Sequence, residues 1–278
     1  SNNADFRRIA VQGLGRMAAP SLVDRILPLV DDAVPQVRMA AVHGVAQALS
    51  GLRSDLRPEE APAPAAIRAA RERLQVRFDK ETDDQVAGVI LASVGRMRHA
   101  EADLEMVEAW LTDNAAGAPD RLVGAAMGLE AFARRNPRRP LAEPARQRLR
   151  DIASLGRTAT GERGEMLARL RRMAMTALQV ARDTDITTQL EATVDPDWQV
   201  RRIAVQMMNA AIQQVRPAVL ALLKDPQMHV RIEAIRSFAR GLQTINDCAP
   251  IVTMVGDTAP LAAMQAMDSL TTGCRDLP

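Results

Sequence analysis

The chain has 278 residues and a formal net charge of +2, from 36 Lys and Arg against 34 Asp and Glu; 47% of it is hydrophobic but only 2% aromatic, with no Tyr. An apolar fraction built on Ala, Leu, Val, Ile and Met suits closely packed helices, whereas sheet proteins draw on aromatic and β-branched side chains. Near-balanced charge and scarce rings argue against a nucleic-acid binder, which carries a denser basic stripe and stacking platforms, and no apolar run is long enough to cross a bilayer.

In chain order, Ser1-Asn2-Asn3-Ala4 lacks an initiator Met and reads as a protease-cleavage remnant, so native targeting information is expected to be missing. A helical segment follows, opening on Arg7-Arg8-Ile9-Ala10-Val11-Gln12, and the same six letters return at Arg201-Arg202-Ile203-Ala204-Val205-Gln206. Next comes the phrase Asp32-Ala33-Val34-Pro35-Gln36-Val37-Arg38, which recurs as Asp195-Pro196-Asp197-Trp198-Gln199-Val200-Arg201 and Asp225-Pro226-Gln227-Met228-His229-Val230-Arg231. In each, an Asp precedes the Arg by six residues, and an Ala follows it by three. Weaker copies start at Asp84 and Asp120, another spans Leu170–Leu178, and Asp257-Thr258-Ala259-Pro260-Leu261 opens a degenerate last unit. With Arg7, Arg38, Ala87, Val123, Arg171, Arg201 and Arg231 as register marks, the intervals are 31, 49, 36, 48, 30 and 30 residues.

A period of this kind means stacked helical hairpins, each packing on its neighbours. About eight units result, the first read as a second helix alone, which fits a piece cut from a longer chain. The two long intervals require insertions. One, at 52–66, holds Pro58, Pro62 and Pro64 and reads as loop. The other, at 133–165, holds Asn136-Pro137-Arg138-Arg139-Pro140, a helix over Leu141–Leu155 and a flexible stretch over Gly156–Gly164. Insertions in solenoids map to loops on one face, often the binding face.

These residues resemble the HEAT-repeat family, in the short bacterial form related to phycobilisome-lyase-type repeats. The resemblance spans nearly the whole chain and is diffuse between Ser50 and Glu165. It implies a single all-α, right-handed α-α superhelix over 1–278, with an outer and an inner helix in each unit. The run Arg7–Met17 also looks like bacterial proteins in which such a solenoid precedes a cyclophilin-type peptidyl-prolyl isomerase domain; no isomerase motif occurs in this chain. An Asp before a helix caps free N–H groups, and Pro suits a first helical turn. An Arg in that turn opposes the helix dipole, so Arg38, Arg201 and Arg231 need a compensating partner. The family pattern is an Asp–Arg ladder in which that partner is an Asp (Asp32, Asp195, Asp225 among them) of the same or the next unit.

No catalytic, metal or cofactor constellation is legible. His43, His99 and His229 fall in three different units, too far apart to share a metal. Gly13-Leu14-Gly15 lies in a helical segment and reads as close helix packing. Glu101, Asp103, Glu105 and Glu108 near a helix start read as a solvated face. Trp110 and Trp198 read as packing, although some HEAT-like DNA glycosylases line a basic groove with Trp and Asp. The densest charge is Arg134, Arg135, Arg138, Arg139, Arg146, Arg148 and Arg150, with only Glu143 of opposite sign among them. It reads either as a solvated face or as a dock for an acidic partner. Cys248 and Cys274 fall at ends of the last two helices that an antiparallel hairpin makes neighbours. A bridge there would staple the terminal repeat and argue for an exported or periplasmic protein; two reduced buried cysteines would leave a cytoplasmic one. The chain is thus expected to be a non-catalytic scaffold that binds another protein or another domain of its parent. A nucleic-acid-binding or DNA-repair HEAT protein is the alternative.

Overall fold

The computed structural model describes residues 2–50 and 61–274, among which there are 15 α-helices and no strand. Two compact units divide the chain, Ser1–Leu149 and Arg150–Pro278. Most of the Pro-rich insertion expected at 52–66, including Pro58, lies outside the described residues; Pro64 opens a helix.

In the first unit, α1 (Ala4–Arg16), α3 (Pro35–Ala48), α5 (Asp84–Arg96) and α7 (Pro119–Arg135) each pack on the next. Between them lie α2 (Val23–Ile26), flanked by 3-10 turns, α4 (Pro64–Asp79) and α6 (Leu104–Asp113), which pack on α3, α5 and α7 respectively. The division falls inside α8 (Glu143–Ala153). The second unit repeats the pattern with α9 (Gly161–Val180), α11 (Trp198–Met207), α13 (Met228–Ile245) and α15 (Pro260–Gly273). Here α10 (Ile186–Ala192), α12 (Arg216–Leu222) and α14 (Ala249–Met254) alternate with them. Eight helices therefore carry the eight register positions, the last being Ala263, six residues after Asp257.

Small residues let these helices approach closely. A Cβ on Gly124 would lie 2.1 Å from Gly88 O, and one on Gly95 would lie 2.0 Å from Gly128 O, so α5 and α7 touch backbone to backbone. Gly15 meets Gly44 in the same way between α1 and α3, while Gly13, expected to share that role, faces open space. The core beside these contacts is aliphatic, with Val86, Ile90, Leu91, Val94, Leu111 and Leu129 fully buried in the first unit. In the second, Val205, Val219, Val230, Ile235, Phe238 and Ile251 form one cluster. Each such side chain contributes about 1.5–3 kcal/mol by leaving water.

The stretch expected to be flexible at 156–164 is a hydrogen-bonded turn leading into α9, which already starts at Gly161. Gly156 and Gly161 adopt φ of +56° and +64°, which L residues disfavour. Ala159 N–H donates to Gly156 O at 3.1 Å, and Arg171 holds Leu155 O at 2.9 Å.

Candidate functional site: an arginine-lined groove in the first unit

The repeated phrase is an arginine ladder with a fixed polarity. Arg201 Nε and Nη2 donate to the two carboxylate oxygens of Asp225 at 2.7 and 3.0 Å, while its Nη1 donates to Asp195 O at 2.8 Å. Arg231 repeats this on Asp257 (2.7 and 2.7 Å) and Asp225 O (2.9 Å). Arg171 does so on Asp195 at 2.7 and 3.0 Å, and Arg7 on Asp32 at 2.6 and 2.9 Å. Each Arg thus takes the carboxylate of the next unit and, in Arg38, Arg201 and Arg231, the backbone carbonyl of its own Asp. The Asp of the phrase is not the helix cap it was expected to be. Turned towards the preceding Arg, its carboxylate reaches only the N–H two residues on, at Val34, Asp197 and Gln227. The N-cap is the third residue of the phrase, where Asp197 accepts from Gln199 and Val200.

Arg38 finds no Asp. It takes Glu81, at 2.8 and 2.7 Å, and Arg77 shares the same carboxylate. Burial alone would raise the pKa of Glu81, but hydrogen bonds from Arg38, the Asp83 N–H and Arg77 hold it below the ordinary carboxylate value. Glu81 precedes Ala87 by six residues, so the register contained it, disguised by Glu in place of Asp. Neither Ala87 nor Val123 supplies an Arg, and the side-chain ladder lapses there.

Most of the insertion arginines are spent internally. Arg134 pairs with Glu130 (2.5 Å), Arg146 with Glu143 (2.6 Å) and Arg150 with Asp183 (2.5 Å). Arg139 pairs with Glu108 and lies over the Phe132 ring, 5.7 Å from its centroid. Glu108 is only 2% exposed and also accepts the Ala142 N–H. Of the acidic run expected as a solvated face, Glu101 and Glu105 are exposed, whereas Glu108 closes over the Arg139 turn and Asp103 neutralises Arg68 and the buried Arg71 at 3.5 Å each. Arg138 lines a depression of about 480 Å³ with Glu101, Leu104 and Asn136. Arg148 is half-buried.

Arg135 is different. Its Nη1 donates to Ser50 O at 2.7 Å. Together with His43, Gln47, Arg96, Glu130 and Arg134 it lines a concavity of about 680 Å³ formed by α3, α5 and α7. Arg96 Nη2 contacts His43 Nδ1 and Ser93 Oγ, each at 3.0 Å, and its Nε is buried without a partner. Among the described residues, Arg96, Arg98 and Arg135 make no ion pair with a carboxylate. Burial lowers the pKa of Arg96 and of Arg135, and for Arg135 the guanidiniums of Arg98 and Arg96 lower it further. His43 is held below its ordinary value by burial and by Arg96, so it is neutral at pH 7. Arg96 and Arg135 close the C-terminal turns of α5 and α7, whose dipoles favour cations. Arg135 was visible in the insertion; Arg98, Arg96 and His43 lie 37, 39 and 92 residues before it, and no local signal joined them.

The remaining singled-out residues hold the units together. Trp110 meets Phe78 edge-on at 5.2 Å, and Trp198 stacks on His229 at 5.5 Å across one repeat. His99 Nε2 lies 2.8 Å from Val94 O. Cys248, which precedes α14, and Cys274, which ends α15, form a disulfide with Cα atoms 6.2 Å apart. No group of three His, Cys, Asp or Glu able to hold a metal occurs among the described residues. Nor is any described helix long and apolar enough to cross a membrane.

No protein-family model matches the chain, and no curated protein matches it. Among solved structures, it is similar to the X-ray structure of YibA from Escherichia coli, at 17% identity and a TM-score of 0.55, over 93% of this chain and 96% of that one. An engineered protein is a more distant likeness, at 15% identity and a TM-score of 0.41, over 91% and 97%. The YibA likeness, taken with four register helices stacked in each unit, makes this an α-helical repeat solenoid fold, consistent with the HEAT type.

Proposed function

We propose that the chain is a non-catalytic protein-binding scaffold whose recognition surface is the groove between α3, α5 and α7, and that it takes an acidic segment of a partner protein. The observation that carries this reading is the unbalanced charge of Arg96 and Arg135, which line a concavity of about 680 Å³ without an ion pair. Both guanidiniums are partly buried with no carboxylate beside them, a desolvation cost that an anionic ligand would offset. The finer resemblance, to phycobilisome-lyase-type HEAT repeats and to solenoids that accompany an isomerase domain, belongs to this reading, as does bacterial origin. So does an oxidising compartment, which the Cys248–Cys274 bridge favours.

The test is fluorescence anisotropy of a fluorescein-labelled Glu-rich peptide at two salt concentrations. Binding should weaken steeply as salt rises and drop at least tenfold in Arg135→Glu. Arg138→Glu, outside the groove, should change it little. Salt-insensitive binding, or binding untouched by Arg135→Glu, refutes the reading. Tighter binding to duplex DNA of the same label would instead favour a nucleic-acid role.

A further inference from the structure

We infer that a second copy of this chain stacks its α1 on the outer face of α15, so that copies join head to tail through the contact that joins neighbouring units within the chain. The inference is independent of the arginine groove. Four residues past the register mark stands a large apolar side chain, fully buried in six helices as Val11, Val42, Leu91, Met175, Val205 and Ile235. In α7, the last register helix of the first unit, it is Met127, 38% exposed. In α15 it is Met267, 49% exposed, and Leu261 and Met264 beside it are more exposed still. Leu261 fills a place held elsewhere by Gln36, Gln85, Arg121, Arg169, Gln199 and His229. A terminal repeat that faces water needs a polar outer surface. Three large apolar side chains in one stripe mark a contact surface instead.

The other half of the joint is on α1. Three residues past the mark, each of the other seven register helices has a fully buried residue, which is Ile90 in α5 and Ala in the rest. In α1 it is Ala10, which is exposed, with Phe6 and Ile9 exposed beside it. Burial itself assigns the sides. α1 packs on α3, the following register helix, burying Val11 and exposing Ala10; α15 packs on the preceding α13, burying Ala266 and exposing Met267. Every joint within a unit therefore brings a large residue from one helix and, in all but one, Ala from the next. Met267 and Ala10 supply the same two halves on different copies.

Charge selects the same pairing. Arg96, nine residues past its mark, contacts His43, five past the preceding mark, at 3.0 Å. Arg240 reaches Gln206 O from the same two places at 3.1 Å. In α1 the ninth place is Arg16, and in α15 the fifth is Asp268, both exposed. Stacking in register thus brings a cation of one copy to an anion of the other, whereas α1 on α1 or α15 on α15 would oppose like charges.

The test is sedimentation velocity of the whole chain without reductant, which keeps the Cys248–Cys274 bridge, from about 1 µM to about 1 mM, the Kd range of modest interfaces. The sedimentation coefficient should rise with concentration. Met267→Asp blocks the tail and Ala10→Glu the head, both at exposed positions, and each should weaken self-association at least tenfold. An equimolar mixture of the two variants should form a 1:1 heterodimer and grow no further, because one intact head and one intact tail remain. Arg16→Glu should weaken association, and adding Asp268→Arg should restore it. A wild-type chain that stays monomeric over this range overturns the inference. So does either blocked variant associating at wild-type strength, since α1 would then meet α1, or α15 meet α15. A mixture that forms no heterodimer overturns it as well.

Discussion

Replacing Asp225 by Ala removes one rung of the ladder and leaves its partner in place. The carboxylate accepts from Arg201 Nε and Nη2 at 2.7 and 3.0 Å and from the Gln227 N–H at 2.8 Å, and the residue is 7% exposed. Stripping one member from a buried ion pair costs about 3–5 kcal/mol, because the other charge stays desolvated. Arg201 keeps its Nη1 bond to Asp195 O, and its side chain is 13% exposed, so water can reach it in part. The cost should therefore fall at the low end, about 3 kcal/mol, or a Tm lower by roughly 6–12 °C for a chain of this size. Asp225→Asn, which keeps an acceptor for Gln227, should lose only about 1–2 kcal/mol. Adding Arg201→Met to Asp225→Ala should recover stability, since no charge is then orphaned. Urea unfolding followed by circular dichroism on the four-member cycle gives the coupling energy, expected at about 2 kcal/mol or more. A single-variant loss under about 0.5 kcal/mol, the value of a solvated surface pair, or strict additivity in the cycle, would refute the ladder as a stabilising device.

Gly124→Ala should destabilise by about 3 kcal/mol, since its Cβ would sit 2.1 Å from Gly88 O and backbone cannot step aside. Gly13→Ala faces open space and should stabilise by about 0.5–1 kcal/mol through helix propensity; thermal melts that show the same sign for both would contradict the packing described. Reducing Cys248–Cys274, separated by 26 residues, should cost about 3.5 kcal/mol by loop entropy. Amide exchange should then quicken in α14 and α15 and not in α9 and α11. Asp32 and Asp257 are held below the ordinary carboxylate pKa, chiefly by hydrogen bonds from Arg7 and Arg231. Depressed folded-state values mean that their contribution is complete above the unfolded pKa of about 3.9 and is lost as pH falls below it. Urea midpoints should be flat from pH 7 to about 5 and decline below about pH 4, and Asp257→Asn should flatten that decline.

The register was legible because an Arg that crosses from turn to turn must recur at one position in each unit. That spacing reached Arg7, Arg38, Arg171, Arg201 and Arg231. It did not reveal the direction of the rungs, because an acid six residues upstream is compatible with pairing inside a unit or between units. Only the fold turns it towards the preceding Arg. Glu81 escaped notice because a one-carbon-longer acid fills the same place behind a register mark, Ala87, that carries no charge. The insertion arginines could not be ranked from the sequence for the opposite reason. Density along the chain shows how many charges are near one another, not which are neutralised by distant acids such as Asp183 and Glu108. The groove brings together the ends of α5 and α7 and the middle of α3, so its residues are neighbours only after three units have stacked.

The backbone contact between α5 and α7 sets the scale of that groove. Side chains can repack to widen or narrow the gap between two ordinary helices, but glycine against carbonyl oxygen leaves nothing to compress. The separation of the Arg96 and Arg135 anchors is thus gauged by main chain alone, like jaws set on a fixed spindle. Substitutions at the rim can change what the jaws hold without altering how far apart they stand, so binding preference can drift while the frame keeps its dimensions.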